Sequence, residues 1–325
     1  MDKAQPDQPL VEIALATFQG MPFLAELLAS IRAQSHENLR IVASDDGSDD
    51  GTLACLQAAA AQGGLVLVAG GPFRSVARNF ENALRATRAS YVALADQDDL
   101  WDPAKLHEML AAIRAEEARH GAGVPVMAFC DLVIVDAQAN TLAPSFFAAT
   151  RKSAGASRLC DFALNNHVPG CAMMVNRALL DRALPFPDAV MHDHWLAQVA
   201  AIFGRIVHLD KALVRYRQHG GNAVGLGATG RGRRTRAAAA LAALWRRPAH
   251  WRAQAAAIGR NMAALHERFG RQLPHTRDLA LVEAIMTRDR RAMRRAFKGA
   301  MHGERALDRL GLLYNLGRRF NGPVA

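Results

Sequence analysis

The sequence predicts an α/β fold in which helices flank a mostly parallel sheet, with an α-helical appendage in the C-terminal part. Two observations carry this prediction. Short apolar runs alternate with segments of helical periodicity over residues 1–225, which is typical of a sheet built from strand–helix–strand units. Over residues 226–325 the composition shifts to Ala, Arg and Leu. We therefore expect two domains, 1–225 and 226–325.

The size and composition of the chain fit a large globular protein. It has 325 residues, of which 50% are hydrophobic and 22% charged, enough to bury a sizeable core. The first ten residues, MDKAQPDQPL, are polar, and no apolar run is long enough to cross a bilayer, so we expect a cytoplasmic location. The cysteines lack CxxC spacing, which favours buried free thiols over disulfides or a zinc site. They are Cys55, Cys130, Cys160 and Cys171.

The hydrophobic pattern assigns the strands and helices in order. The first apolar run, LVEIALAT, predicts a buried strand, and the helix after it places its leucines and an isoleucine on one face. The predicted elements that follow the same logic are a strand over 10–17, a helix over 22–33, a strand over 39–43, a helix over 53–62, a strand over 65–69, a helix over 77–87, a central strand from 91, a strand over 126–135, a turn and strand entering a helix over 167–180, a helix over 192–203 and a strand near 213–216.

Carboxylates follow two of these strands. Asp96 and Asp98 come at the end of the central strand, and Asp45 and Asp46 follow the second strand. Because the carboxyl ends of parallel strands meet at one edge of a sheet, where ligands collect, we expect these groups near Thr17, the end of the first strand. Clustered carboxylates suit hard divalent cations such as Mg²⁺ or Mn²⁺, which are usually bound together with substrate phosphates. A solvated acidic turn is the simpler interpretation of either motif alone.

The charge of the chain is unevenly distributed. Residues 226–325 contain 21 Lys+Arg and 6 Asp+Glu, a net charge of +15, whereas residues 1–225 contain 19 and 24, a net charge of −5. A basic tail can face nucleic acid, an anionic membrane surface or solvent. Apolar residues at helical spacing predict that this region packs as helices. One stripe contains Trp251, Ala255, Ile258, Met262, Leu265 and Phe269, and a second contains Leu307, Leu310, Tyr314 and Phe320.

Five motifs occur in a fixed order along the chain. They are ATFQG (16–20), DDGSDDGT (45–52), DQDDLW (96–101), HDHW (192–195) and YRQHGGN (216–222). This set resembles family 2 glycosyltransferases of the GT-A fold, a Rossmann-like α/β architecture, and most closely the bacterial rhamnosyltransferase-type enzymes of surface polysaccharide synthesis. The resemblance implies a metal-dependent inverting enzyme that transfers a sugar, such as rhamnose, from a dTDP- or UDP-sugar to a hydroxyl of a glycan or lipid-linked acceptor.

The resemblance also implies which residues bind the donor. They are Thr17, Phe18, Asp45, Asp46, Arg78 and Asp96. Phe18 would flank the base or ribose, and either Asp45 or Asp46 would accept hydrogen bonds from the base. Asp96 would contact the ribose, and Arg78 would reach the nucleotide or its diphosphate.

The remaining roles concern the metal and the acceptor. Asp98 would bind Mn²⁺ or Mg²⁺ bridging the diphosphate oxygens, and His219 would supply a further contact to the metal or the diphosphate. Asp193 would be the catalytic base, because a sugar hydroxyl is a poor nucleophile until it loses its proton. A helix N-cap is the alternative role for Asp193. A lipid-linked acceptor would place the protein at the inner face of the plasma membrane, with the basic tail against anionic lipid.

Two other classes of protein share some of these features. A nucleotidyltransferase also combines an α/β sheet with metal-binding carboxylates, but it would typically carry a Gly-rich loop with Arg or Lys directly after the first strand, where this chain has TFQGMPF. A non-catalytic scaffold that binds nucleic acid or membrane through the basic tail is the second alternative. No nucleic-acid-binding motif is visible, and aromatic residues make up 6% of the chain, which disfavours nucleic acid as a partner.

Overall fold

The computed structural model describes residues 8–150, 152–188, 190–219, 253–273, 277–296 and 316. These fall into two compact units. The first contains the residues up to Thr150 together with 154–157 and 166–219, and the second contains 152–153 and 158–165 with the described residues from 253 onward. The predicted boundary at 225, the last three residues of YRQHGGN, Trp251 and the second apolar stripe lie outside the described residues.

The first unit is built on one nine-stranded sheet. Its strands are β1 (Val11–Thr17), β2 (Leu39–Asp45), β3 (Leu65–Val68), β4 (Tyr91–Asp96), β5 (Leu100–Trp101), β6 (Val126–Val135), β7 (Thr141–Ala143), β8 (Met173–Asn176) and β9 (Arg205–Arg217). The strand order is β3-β2-β1-β4-β8-β6-β9-β5, with β7 paired to β6. The pairs β3/β2, β2/β1, β1/β4 and β6/β9 are parallel, whereas β8 runs antiparallel to both of its neighbours.

The register of the parallel strands determines where the site lies. Thr17 of β1 pairs with Asp45 of β2, and Ala16 pairs with Asp96 of β4. The preceding residues of these strands are almost all buried, as continuous apolar runs in a two-sided sheet should be. Three strands therefore end at the same level, and the polar residues at their carboxyl ends lie at one edge of the sheet.

Helices connect the strands of this unit. They are α1 (Leu24–Arg32), α2 (Thr52–Ala61), α3 (Val76–Ala86), α4 (Lys105–His120), α5 (Phe146–Ala149), α7 (Arg177–Ala183) and α8 (His192–Phe203). The buried face of α1 contains the predicted Leu24, Leu27, Leu28 and Ile31. Ser75 is the N-cap residue of α3, and its hydroxyl accepts a hydrogen bond from the backbone of Arg78 (3.4 Å), the usual N-cap arrangement.

The second unit is helical where it is described. It contains α6 (Leu159–Phe162), a helix over 253–269 that we number α9, α10 (Arg277–Met286) and α11 (Arg290–Ala296). The described members of the first predicted stripe are all buried, namely Ala255, Ile258, Met262, Leu265 and Phe269. No helix in the described segments combines the length and the apolar character needed to cross a bilayer.

Glu12 is a charged group inside the sheet that ties three segments together. Its carboxylate is fully buried on β1 and accepts hydrogen bonds from the backbone of Arg88 and Ala89 and from the Arg40 guanidinium. Burial by itself would raise the pKa of Glu12, but the hydrogen bonds, first that from Ala89, outweigh it and leave the pKa below its ordinary value.

Replacing Glu12 by Ala should destabilise the fold, because the backbone N–H groups of Arg88 and Ala89 and the Arg40 guanidinium would lose their shared acceptor. We expect a loss of about 3 kcal/mol in the free energy of unfolding, measured by urea denaturation at pH 7. Since the folded-state pKa is depressed, this contribution is present above the ordinary Glu pKa and disappears as the pH falls through the folded-state value. Exposed Glu37→Ala is the control, and an equal effect of both variants would contradict the assignment.

Candidate active site

The site lies at the carboxyl edge of β1, β2 and β4. Thr17 is buried at the end of β1, and its hydroxyl donates a hydrogen bond to Oδ1 of Asp45 (2.7 Å). Thr17 also accepts a hydrogen bond at its carbonyl from the backbone of Asp46 (2.9 Å). The ends of β1 and β2 are therefore fastened together by side-chain and backbone contacts.

Asp45 and Asp46 direct their carboxylates into neighbouring loops. Asp45 accepts hydrogen bonds from the backbone of Gly47 (3.1 Å) and from the backbone and hydroxyl of Ser48 (2.8 and 2.7 Å). Asp46 accepts hydrogen bonds from three successive backbone N–H groups, over residues 73–75. These carboxylates thus shape the turn after β2 and the loop that leads into α3. The predicted contact of either one with a nucleobase stays a prediction.

Phe18 is exposed, and the side chain of Gln97 holds its backbone in place. The sequence analysis did not predict this role for Gln97. The ring is 54% exposed. The amide of Gln97 accepts a hydrogen bond from the Phe18 N–H and donates one to the Phe18 carbonyl, both at 2.7 Å. A Cβ atom at Gly20 would lie 2.8 Å from the same amide oxygen, so glycine leaves room for this clamp. The only sequence signal for Gln97 was its place between Asp96 and Asp98.

Arg78 is held away from the strand ends. Its guanidinium donates a hydrogen bond to the Phe186 carbonyl (3.0 Å) and forms ion pairs with Glu81 and Asp188. The Asp188 side chain is 94% exposed. No contact between Arg78 and the carboxylates of β4 is recorded among the described residues, so its predicted role at the nucleotide stays a prediction.

The carboxylates at the end of β4 and at the start of α8 repel one another. Asp96 ends β4, and Asp193 lies in the first turn of α8. Burial first, and then the charges of Asp98 and Asp193, raise the pKa of Asp96 to about 7. Asp99 is fully buried, and burial followed by the charges of Asp98 and Asp96 raises its pKa well above the ordinary value. Burial and mutual repulsion therefore disfavour the ionised forms of Asp96 and Asp99 at this edge.

Asp98 and His219, the two residues that the resemblance assigns to the metal, are in contact, and their binding of a metal stays a prediction. Nε2 of His219 lies 2.8 Å from Oδ2 of Asp98, and the imidazole packs on the ring of Phe23 with 4.6 Å between centroids. A carboxylate and an imidazole in contact, with the carboxyl of Asp96 nearby, are a suitable donor set for Mn²⁺. A second cluster has ligand atoms within 4.8 Å of one another, namely those of Asp96, Asp99 and Cys171, but its thiol suits a hard cation poorly.

Arg217 holds in place the acidic turn over residues 96–99, at the end of β4. The sequence analysis did not predict this role. Its side chain is almost fully buried. The guanidinium donates hydrogen bonds to the backbone carbonyl of Asp98 (2.9 Å) and to Glu26 of α1 (2.7 Å), while its backbone N–H donates to Asp99 (3.1 Å). The guanidinium also lies over the ring of Phe23, at 4.5 Å from its centroid. Its position in YRQHGGN, two residues before His219, was the available signal.

The start of α8 places Asp193 and buries His192. Met191 is the N-cap residue and Asp193 lies inside the first turn, so the N-cap alternative for Asp193 was wrong. Oδ1 of Asp193 accepts a hydrogen bond from the backbone of His194 (2.7 Å). The His192 ring stacks on Phe80 with 4.0 Å between centroids, and burial lowers its pKa despite the neighbouring Asp193 charge.

Sequence comparisons find relatives of this chain. The sequence model of the family described as glycosyl transferase family 2 matches residues 12–182. An uncharacterized glycosyltransferase of Nostoc sp. is 24% identical over 235 residues, 65% of this chain and 66% of the relative. EpsE of Bacillus subtilis, provisionally named a glycosyltransferase, is 30% identical over 114 residues, 34% of this chain and 40% of the relative. The matches thus span less than two thirds of the length of these relatives.

The fold is found in solved structures. TarS 1–349 of S. aureus in complex with UDP-GlcNAc gives a TM-score of 0.54 at 16% identity, covering 95% of this chain and 89% of that chain. The mannosyltransferase PcManGT of Pyrobaculum calidifontis in complex with GDP-Man and Mn²⁺ gives 0.53 at 19% identity, covering 90% and 73%. Identities this low establish the fold alone. The predicted GT-A fold, with a mostly parallel sheet and a helical C-terminal appendage, is confirmed.

Proposed function

The chain belongs to glycosyl transferase family 2, and from this premise we propose that it is a metal-dependent, inverting glycosyltransferase. Its donor would be a dTDP- or UDP-sugar, and its acceptor a hydroxyl of a glycan or lipid-linked precursor in cell-surface polysaccharide synthesis. One observation carries the proposal. The carboxylates of Asp96, Asp98 and Asp193 interact electrostatically at one edge of the sheet, and His219 contacts Asp98 there.

The donor nucleotide would occupy the edge formed by β1 and β2. The exposed ring of Phe18 offers a face for stacking on the base, and the Gln97 clamp holds the backbone that carries it. Thr17, Asp45 and Asp46 would complete this part of the pocket, the two carboxylates through the turns that they organise. Two neighbours of this fold carry UDP-GlcNAc and GDP-Man, which supports a sugar linked to a nucleoside diphosphate.

The diphosphate would lie beyond the base, towards the end of β4. Asp96 would contact the ribose, and Asp98 with His219 would hold Mn²⁺ or Mg²⁺. When bound, the cation would stabilise the negative charge that develops on the leaving diphosphate. Arg78 would contribute a positive charge to the same group, since its partner Asp188 is exposed and a phosphate can replace it.

Asp193 would act on the acceptor. Its carboxylate opens α8 opposite the end of β4, and there it would accept the proton of the attacking hydroxyl. With one base and no intervening nucleophile, a single displacement inverts the anomeric configuration, as in inverting glycosidases. The resemblance of DQDDLW and YRQHGGN to rhamnosyltransferase-type enzymes supports rhamnose as the sugar transferred.

The basic tail would bring the enzyme to its acceptor. The net charge of +15 over 226–325 favours contact with the anionic inner leaflet, at about 1 kcal/mol for each Lys or Arg near the surface. A lipid-linked acceptor would be presented at that surface. We therefore propose a peripheral location at the inner face of the plasma membrane.

Nucleoside diphosphates should stabilise the protein only when Mn²⁺ is present. A ligand at a hundred times its Kd raises the free energy of unfolding by about 2.7 kcal/mol, which thermal unfolding detects for UDP or dTDP. Asp98→Asn should abolish this metal-dependent stabilisation, whereas Asp210→Asn on the exposed part of β9 should retain it. Equal stabilisation of both variants, or none in the unaltered protein, would refute the donor site.

Asp193→Asn should separate donor binding from chemistry. The amide cannot accept the acceptor proton, so kcat for sugar transfer should fall by about a hundredfold or more, with nucleoside diphosphate affinity little changed. Transfer can be followed by release of the diphosphate in the presence of candidate acceptors. The matched control is Asp181→Asn in α7, which is exposed. Retention of full activity by Asp193→Asn would exclude this residue as the base.

A further inference from the structure

Lys105 is a buried cation directly behind the acidic turn. It is the first residue of α4, and its side chain is fully buried. Nζ donates a hydrogen bond to the carbonyl of Cys171 (2.7 Å) and lies 3.3 Å from the ring centroid of Trp101. Burial lowers the pKa of Lys105 to about 8, against the opposing effect of acidic groups that include Asp99. Burying a lysine is costly, so this placement calls for an explanation.

The carbonyl that Lys105 contacts belongs to the 3-10 turn Gly170–Ala172. The turn also places its last carbonyl, that of Ala172, 3.6 Å from Sγ of Cys130. At its first residue it touches helix α8. A Cβ atom at Gly170 would lie 2.9 Å from Nε2 of His192 and 3.5 Å from Cβ of Asp193. A shift of this turn would therefore displace the start of α8 or open a gap beside it.

We propose that Lys105 is a positioning residue. It sets the distance between the end of β4, which carries Asp96, and the start of α8, which carries Asp193. Its ammonium holds the turn Gly170–Ala172 against the acidic turn at the end of β4. Through that turn it holds Asp193 opposite Asp96. The inference deepens the proposed function, on which it rests for the role of Asp193.

A simpler role for Lys105 would be to balance the buried charge of Asp99. Geometry argues that this is not its whole role. Nζ of Lys105 donates its hydrogen bond to the backbone carbonyl of Cys171 rather than to a carboxylate. Asp99 has other partners, since its carboxyl accepts hydrogen bonds from the backbone of Arg217 (3.1 Å) and from the thiol of Cys171. Removing the charges of Lys105 and Asp99 together distinguishes the two roles. It restores charge balance, but it does not restore the hydrogen bond from Lys105 to the Cys171 carbonyl.

The test compares Lys105→Met with the double variant Lys105→Met/Asp99→Asn. Methionine keeps a long unbranched side chain beside Trp101 but cannot donate a hydrogen bond to Cys171. The double variant removes the uncompensated carboxylate as well, so it carries the test if the single variant does not fold. Lys211→Met is the control, since Lys211 is exposed and pairs with Glu108.

The main readout is hydrogen exchange of the ligand-free protein. If Lys105 positions the turn, peptides covering 170–173 and 192–195 should exchange about tenfold faster in both Lys105 variants, because their local opening becomes easier. In kinetic assays kcat should fall by about tenfold or more with donor Kd nearly unchanged, because a small misplacement of a reacting group is costly. The ligands of the cation, Asp98 and His219, remain in place.

Three results decide the matter. Exchange and kcat that return to the unaltered level in the double variant would reduce Lys105 to a charge-balancing role and overturn the proposal. Unaltered exchange in both variants would overturn it as well. If the unaltered protein binds no nucleoside diphosphate, the proposed function fails, while the exchange comparison still decides whether Lys105 positions the start of α8.

Discussion

Repulsion between carboxylates at one edge of the sheet is the constraint on which the rest of the site depends. The register of β1, β2 and β4 brings strand ends to one level, so acidic residues that are far apart in sequence share a small volume. Burial first, and then this crowding, raises the pKa of Asp96. The surrounding structure must enforce such an arrangement, and either protonation or a bound cation can relieve the repulsion.

The surrounding structure relieves the repulsion in distinct ways. The carboxylates of Asp45 and Asp46 accept hydrogen bonds from nearby backbone N–H groups, and these bonds stabilise the adjoining loops. Arg217 and Lys105 are buried beside residues 96–99. The Arg217 guanidinium donates hydrogen bonds to the Asp98 carbonyl and to the Glu26 carboxylate, and Nζ of Lys105 donates one to the Cys171 carbonyl. Lys105 acts on Asp96 electrostatically and lowers the pKa of that carboxyl, but burial and the charges of Asp98 and Asp193 outweigh this effect.

Much of this arrangement could be predicted from the sequence, and the rest could not for a physical reason. Apolar runs fixed the positions of β1, β2 and β4, and their acidic ends marked the site. The contact between Asp98 and His219 followed from resemblance, since no local pattern joins residues so far apart. Gln97, Lys105 and Arg217 escaped detection because their function lies in hydrogen bonds to backbone groups of distant segments, which residue type alone does not encode. Strand β9 was foreseen only near its end because charged residues interrupt its apolar pattern.

Anomalous diffraction from crystals grown with Mn²⁺ and UDP or dTDP tests the central claim most directly. The account predicts one manganese peak, bound by Asp98 and His219 and by the diphosphate oxygens, with the base against Phe18. A peak between Asp96, Asp99 and Cys171, or a diphosphate bound without metal away from this edge, would contradict it.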